Sequence, residues 1–193
     1  MDAKLNEESG VFIARREFDA ATCERIIRLA GDGWERSQVD DSEGGEIEDK
    51  GLRESDIFWT KERWLTDMLF PYMESYNEVS GLKYEISGVE TLQLTRYGVG
   101  GFYGFHVDGF SNHLWSVGGK IRKISMTIQL NEDYEGGEFE VIRCREGELE
   151  VETLDKDMGS MVLFPSCLEH RVKPVTDGVR YSLVAWFLGP PLR

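Results

Sequence analysis

Hydrophobic and polar positions follow two different rhythms along this chain. Between Ala20 and Ala30, the apolar residues Cys23, Ile26, Ile27 and Ala30 recur at helical spacing. Val11–Phe18, just before, reads as a short strand; Asp19 reads as an N-cap, and Gly31 and Gly33 as the stop. A second helix is predicted from Lys61 to Val79. Its apolar stripe is Trp64, Leu65, Met68, Leu69, Tyr72 and Tyr76, and Pro71 is a point where it can kink or split. The stripe reads as packing against a sheet.

From residue 88 the period changes to two. The predicted strands are Val89–Tyr97, Phe102–Val107, Arg122–Leu130, Gly137–Ile142, Glu148–Thr153, Ser160–Phe164, Glu169–Val175 and Arg180–Leu188. Short strands separated by Gly, Asp, Asn and Pro predict a sandwich or a small barrel. Alternation is cleanest in Arg122–Leu130. Ile124, Met126, Ile128 and Leu130 share one face, and Lys123, Ser125, Thr127 and Gln129 share the other. An inner face of Ser, Thr and Gln suits a barrel whose mouth holds a polar ligand. The fold class expected is mainly β with flanking helices. One domain spans 1–193: a helical and mixed support region, 1–87, precedes a strand-rich core, 88–189.

Composition narrows the function classes. The chain has 193 residues, enough for a core. No apolar run reaches the ~18–20 residues of a membrane span, and the N-terminal MDAKLNEESG lacks an apolar signal region. A soluble, intracellular and cytoplasmic protein is expected. The formal net charge of -14 argues against binding to nucleic acid or to anionic membranes, and tolerates basic protein partners. Asp40–Asp49 carries six acids and no base. It reads as a solvated loop; as a lid over an active site it would favour a basic target segment. Cys23, Cys144 and Cys167 are scattered, so no disulfide framework is expected, and each reads as a small buried or half-buried side chain.

The candidate chemistry rests on two of the three histidines. His106-Val107-Asp108 ends a predicted strand, and residues two apart in a strand face the same way. His170 begins another. Two His and one carboxylate form the facial triad of non-haem Fe(II) oxygenases, which leaves the opposite metal positions for other ligands. A lone HxD pair is weak evidence, but Arg180 and Ser182 follow on one strand face, shared with Val184 and Trp186. A buried guanidinium needs an anionic partner and pairs bidentately with a carboxylate. A 2-oxoacid chelating the metal, its far carboxylate on Arg180 and Ser182, describes bound 2-oxoglutarate. His113, in the loop-like 109–120 stretch, reads as an exposed loop residue, with a place near the mouth and a fourth metal ligand as the alternatives.

These segments resemble a known family. YGVGGFYGFHVD (97–108), RKISMTIQLNEDYEGGEFEV (122–141), GSMVLFPSCLEHRVKPV (159–175) and GVRYSLVAWF (178–187) are similar to the double-stranded β-helix Fe(II)/2-oxoglutarate-dependent dioxygenases, in their prolyl 4-hydroxylase-like branch. RESDIFW (53–59) resembles a substrate-side strand of that branch. The resemblance implies a jelly-roll, cupin-like barrel, with His106, Asp108 and His170 as iron ligands and Arg180 as the 2-oxoglutarate anchor. It implies that Tyr97, Ser182 and Gln129 also contact 2-oxoglutarate, Gln129 standing where relatives often carry a tyrosine. Arg53, Tyr103, Arg122 and Trp186 would lie on the substrate side. Implied cofactors are Fe(II), 2-oxoglutarate and O2, with ascorbate a candidate reductant. The implied reaction is hydroxylation of prolyl residues in a peptide or protein, releasing succinate and CO2. Alternatives are a hydroxylase of a free amino acid, small molecule or other protein side chain; a cupin-like metal-binding barrel without oxygenase activity; and an inactive interaction module.

Overall fold

The computed structural model describes residues 2–6, 10–40, 46–47, 49, 51–109, 118–145, 147–154 and 156–191. The acidic segment proposed as a lid lies largely outside the described residues, as does His113.

Helix α1 spans Ala20–Arg28, and the Asp19 side chain caps it by accepting from the Thr22 N–H at 2.8 Å. Helix α2 spans Arg63–Val79. Pro71 does not split it; the residue sits on the exposed side, and the helix continues to Ser80. Cys23 and Ile26 from α1, with Leu65, Leu69, Met73 and Tyr76 from α2, are buried against a sheet. Burial of each large aliphatic side chain here contributes about 1.5–3 kcal/mol.

That sheet contains nine strands among the described residues. Its order is Asp2–Asn6, Val11–Arg15, Met161–Pro165, Ile121–Gln129, Arg180–Gly189, Leu92–Tyr97, Asp56–Thr60 and Glu35–Arg36, with Gly88–Val89 on the Arg180–Gly189 strand. A second sheet runs Glu148–Thr153, Phe139–Arg145, His170–Val172, Phe102–His106 and Arg53–Glu54. Period-two alternation sorts the large sheet into two faces. Leu92, Leu94, Ile124, Met126, Met161, Leu163, Leu183, Ala185 and Phe187 form the core with the helices. Val11, Tyr97, Val162 and Phe164 point the other way and pack with Phe139, Val141 and Val172 of the small sheet. The two sheets close the double-stranded β-helix that the sequence led us to expect.

Four sequence expectations are corrected. Val89–Tyr97 is two strands, Gly88–Val89 and Leu92–Tyr97, and Glu169–Val175 breaks at Lys173-Pro174, where the proline has no N–H for the ladder. Lys123 does not share the face of Ser125, Thr127 and Gln129. The ladder to Arg180–Gly189 slips between Arg122 and Ile124; Lys123 therefore lies over Tyr84, whose ring packs on the helix-side core, and Arg122 turns into the barrel. Finally, only Cys23 is buried; Cys144 and Cys167 are exposed.

Candidate active site

Register brings the polar residues of three strands together. On the inner face of the large sheet, Ser182 is paired with Thr95 on one side and Gln129 on the other. One step along the strand, Val184 is paired with Gln93 and Thr127; at the end of the strand, Arg180 lies opposite Tyr97. On the small sheet His106 and His170 are direct cross-strand partners. The mouth of the barrel holds a cavity of about 360 Å³ lined by residues of both sheets, including His106, Asp108, His170 and Arg180.

His106, Asp108 and His170 each present one donor atom, and these atoms lie within 4.8 Å of one another. The Nε2 atoms of His106 and His170 are 3.6 Å from Oδ1 and Oδ2 of Asp108, respectively. Each imidazole is held from behind. His106 Nδ1 lies 2.8 Å from the Gly104 carbonyl and His170 Nδ1 2.8 Å from the Leu168 carbonyl. A carbonyl only accepts, so both Nδ1 atoms carry a proton and both Nε2 atoms are turned toward Asp108. The Ser166 carbonyl accepts from the N–H groups of Asp108 and Gly109, each at 3.0 Å, which fixes the aspartate relative to His170.

Electrostatics suit a cation. Burial lowers the His170 pKa to about 4, so the ring is neutral at physiological pH. Burial alone would raise Asp108, but His170, His106 and Arg122 outweigh it and hold the carboxyl well below the usual carboxylate range. Asp108 Oδ2 is buried with no hydrogen-bond partner among the described residues. A buried carboxylate with one oxygen lacking a donor, set between two imidazole Nε2 atoms, fits a divalent transition metal. The donor set thus matches the iron implied by the resemblance.

Arg180 is 1% exposed. Its Nη1 donates to Ser182 Oγ at 3.2 Å and its Nη2 to Gln129 Oε1 at 2.8 Å, and its guanidinium lies 5.3 Å from the Tyr97 ring centroid. Its Nε has no partner, and no carboxylate is paired with it among the described residues. A buried cation surrounded by neutral polar groups fits an anionic ligand such as the far carboxylate of 2-oxoglutarate.

The four substrate-side candidates line the same cavity. Tyr103 stacks on His106, with ring centroids 3.5 Å apart and planes 12° apart, and Arg53 caps its other face at 4.6 Å. Burial pushes the Tyr103 phenol up to about 12, against the opposing pull of Arg53. Arg53 is fixed by Ser55 Oγ at 2.9 Å and Gln93 Oε1 at 2.8 Å. Arg122 lies 3.9 Å over Trp186, which also contacts Trp59 at 6.1 Å between centroids. Sequence reasoning missed Glu90, Gln93, Thr95 and Trp59. The signal for Gln93 and Thr95 was available: they alternate with Leu92 and Leu94, so two polar side chains share the inner face of a buried strand.

Residues 92–188 match the 2OG-Fe(II) oxygenase superfamily. The chain belongs to that family, whose members use Fe(II), 2-oxoglutarate and O2. Over 97 residues it is 40% identical to a PKHD-type hydroxylase of Stenotrophomonas maltophilia, an overlap covering 49% of this chain and 41% of the relative. The match therefore spans under half the length of that relative. Among solved structures, the fold is similar to a prolyl-4-hydroxylase of Pseudomonas putida (21% identity, TM-score 0.67, covering 93% of this chain and 92% of that one). It is also similar to a Trichoplax adhaerens prolyl hydroxylase in complex with a hypoxia inducible factor peptide fragment (20% identity, TM-score 0.64, covering 93% and 83%).

Proposed function

We propose that this protein is an Fe(II)- and 2-oxoglutarate-dependent hydroxylase acting on prolyl residues of a peptide or protein. The observation that carries the reading is the convergence on one cavity of the three-donor cluster His106, Asp108 and His170 with the buried, carboxylate-free Arg180. His106, Asp108 and His170 would hold the iron, and Arg180, Ser182, Gln129 and Tyr97 would hold 2-oxoglutarate. When bound, the pair supplies, with O2, the oxidising power to convert a substrate C–H to C–OH, yielding succinate and CO2.

The protein's own work is placement. The backbone-held imidazoles keep Nδ1 engaged and turn Nε2 into the site. Arg180 fixes the orientation of the cosubstrate. The aromatic walls Tyr103, Trp186 and Trp59 suit the flat apolar face of a pyrrolidine ring and keep water from the reacting carbon. Likeness to the prolyl hydroxylases of Pseudomonas putida and Trichoplax adhaerens favours a prolyl target. The net charge of -14 favours a basic segment around it.

The test is turnover. With Fe(II), 2-oxoglutarate, ascorbate and air, a set of proline-containing peptides should release succinate and gain one oxygen at proline by mass spectrometry. Oxygen incorporated only into other residues, or only into free amino acids, would remove the prolyl assignment and keep the oxygenase. Binding of a basic peptide that does not weaken with salt would remove the charge argument.

A further inference from the structure

The strand Tyr134–Gly136 pairs with Val175–Gly178, which puts Tyr134 opposite Gly178, two residues before Arg180. Gly137 leaves room for the two side chains to meet. A Cβ at Gly137 would lie 3.1 Å from both Tyr134 Cε2 and Arg180 Cδ. Lys156 closes the outside, donating to the Tyr134 carbonyl at 3.1 Å with its ammonium 5.0 Å from the ring centroid. Tyr134 is 4% exposed.

Burial pushes the Tyr134 phenol above its ordinary pKa, and the Arg180 charge opposes this, so the hydroxyl lies within electrostatic reach of the guanidinium and keeps its proton. No well-formed hydrogen bond joins them. Among the described residues, neither Tyr134 Oη nor Arg180 Nε has a partner. Ser182 and Gln129 each engage one N–H of Nη1 and Nη2, so Nε and the phenol oxygen are the two buried polar atoms around this cation that are left with no partner at all. Buried donors are normally paired, and two donors beside a guanidinium match a carboxylate, which has two acceptor oxygens and the opposite charge.

We infer that Tyr134 is a further member of the cosubstrate anchor: its hydroxyl and the Arg180 Nε–H are the donors completed by the distal carboxylate of 2-oxoglutarate. This rests on the reading of Arg180 as the anchor. The experiment uses protein loaded with Mn(II) and measures binding by calorimetry for two chelators. N-oxalylglycine carries a distal carboxylate and oxalate does not. Tyr134→Phe should weaken N-oxalylglycine about tenfold, the loss of one hydrogen bond to a charged acceptor, and leave oxalate unchanged. The melting temperature of the metal-free variant should stay level or rise, because an unpaired buried hydroxyl has been removed. Unchanged N-oxalylglycine affinity, or equal weakening of both chelators, would overturn the assignment. Arg180→Ala separates the two layers. If it weakens N-oxalylglycine selectively while Tyr134→Phe does not, only Tyr134 loses its role. If Arg180→Ala treats both chelators alike, the anchor reading itself fails.

Discussion

Glu90 grips Arg122 with both carboxylate oxygens, Oε1 accepting from Nε and Oε2 from Nη2, each at 2.8 Å. The guanidinium so held lies 3.9 Å over Trp186, and its Nη1 reaches the Asp108 carbonyl at 3.3 Å. One ion pair therefore ties an aromatic wall of the cavity to the backbone of a candidate metal ligand. Both side chains are mostly buried, Arg122 at 22% and Glu90 at 11% exposure.

Breaking such a pair from one side strands a charge. Glu90→Ala should destabilise the fold by about 3 kcal/mol, the cost typical of an unpaired buried charge. Adding Arg122→Leu should recover part of that loss. Urea denaturation of the single and double variants checks this; a double variant less stable than the single would contradict it.

The metal cluster predicts linked stability. If Mn(II) occupies it at about a thousandfold excess over Kd, the fold gains about 4 kcal/mol. Thermal melts should rise with Mn(II) in the parent protein and fall back on chelation. Asp108→Ala should abolish the rise. A metal-dependent shift that survives Asp108→Ala would place the metal elsewhere.

Gln129 takes one Arg180 N–H in a site with 1% exposure at each residue. Gln129→Leu keeps bulk but leaves that donor unpaired, at about 1–3 kcal/mol. Equilibrium unfolding of the metal-free protein measures the cost, and a neutral result would mean that water or another group replaces the amide.

Thiol chemistry reports on the corrected cysteines. Burial raises the Cys23 thiol to about 11 from an ordinary 9.0. Its thiolate is disfavoured in the fold, so a thiol reagent should titrate Cys144 and Cys167 rapidly and Cys23 only on unfolding. The linkage sign follows. The raised pKa stabilises the fold below about pH 9, and that contribution is lost as pH climbs from there through about 11. Replacing Cys23 with Ala should flatten this part of the pH-stability profile, whatever it does to absolute stability.

Much of the site was legible because its residues obey local periodicity. His106 with Asp108, and Arg180 with Ser182, sit at spacing two, so their shared faces could be read without knowing any partner strand. The match of His106 with His170 across one ladder could not, because cross-strand register depends on turns and on packing far along the chain. The same limit hid Glu90 and Tyr134, whose roles come from segments remote from Arg122 and Arg180. The Arg122–Ile124 slip shows the converse failure: strict alternation assigned Lys123 to the inner face, and one irregular step exchanged it for Arg122. The short strands Glu35–Arg36 and Arg53–Glu54 were too brief to leave any periodic signal.

The cavity is proposed to hold Fe(II) through His106, Asp108 and His170 and 2-oxoglutarate through Arg180. That assignment is tested most directly by anaerobic titration of 2-oxoglutarate into the Fe(II)-loaded protein, followed in the visible spectrum. A weak metal-to-ligand charge-transfer band should saturate in the parent protein and require far more 2-oxoglutarate in Arg180→Ala. Iron binding with no such band at any 2-oxoglutarate concentration would contradict it.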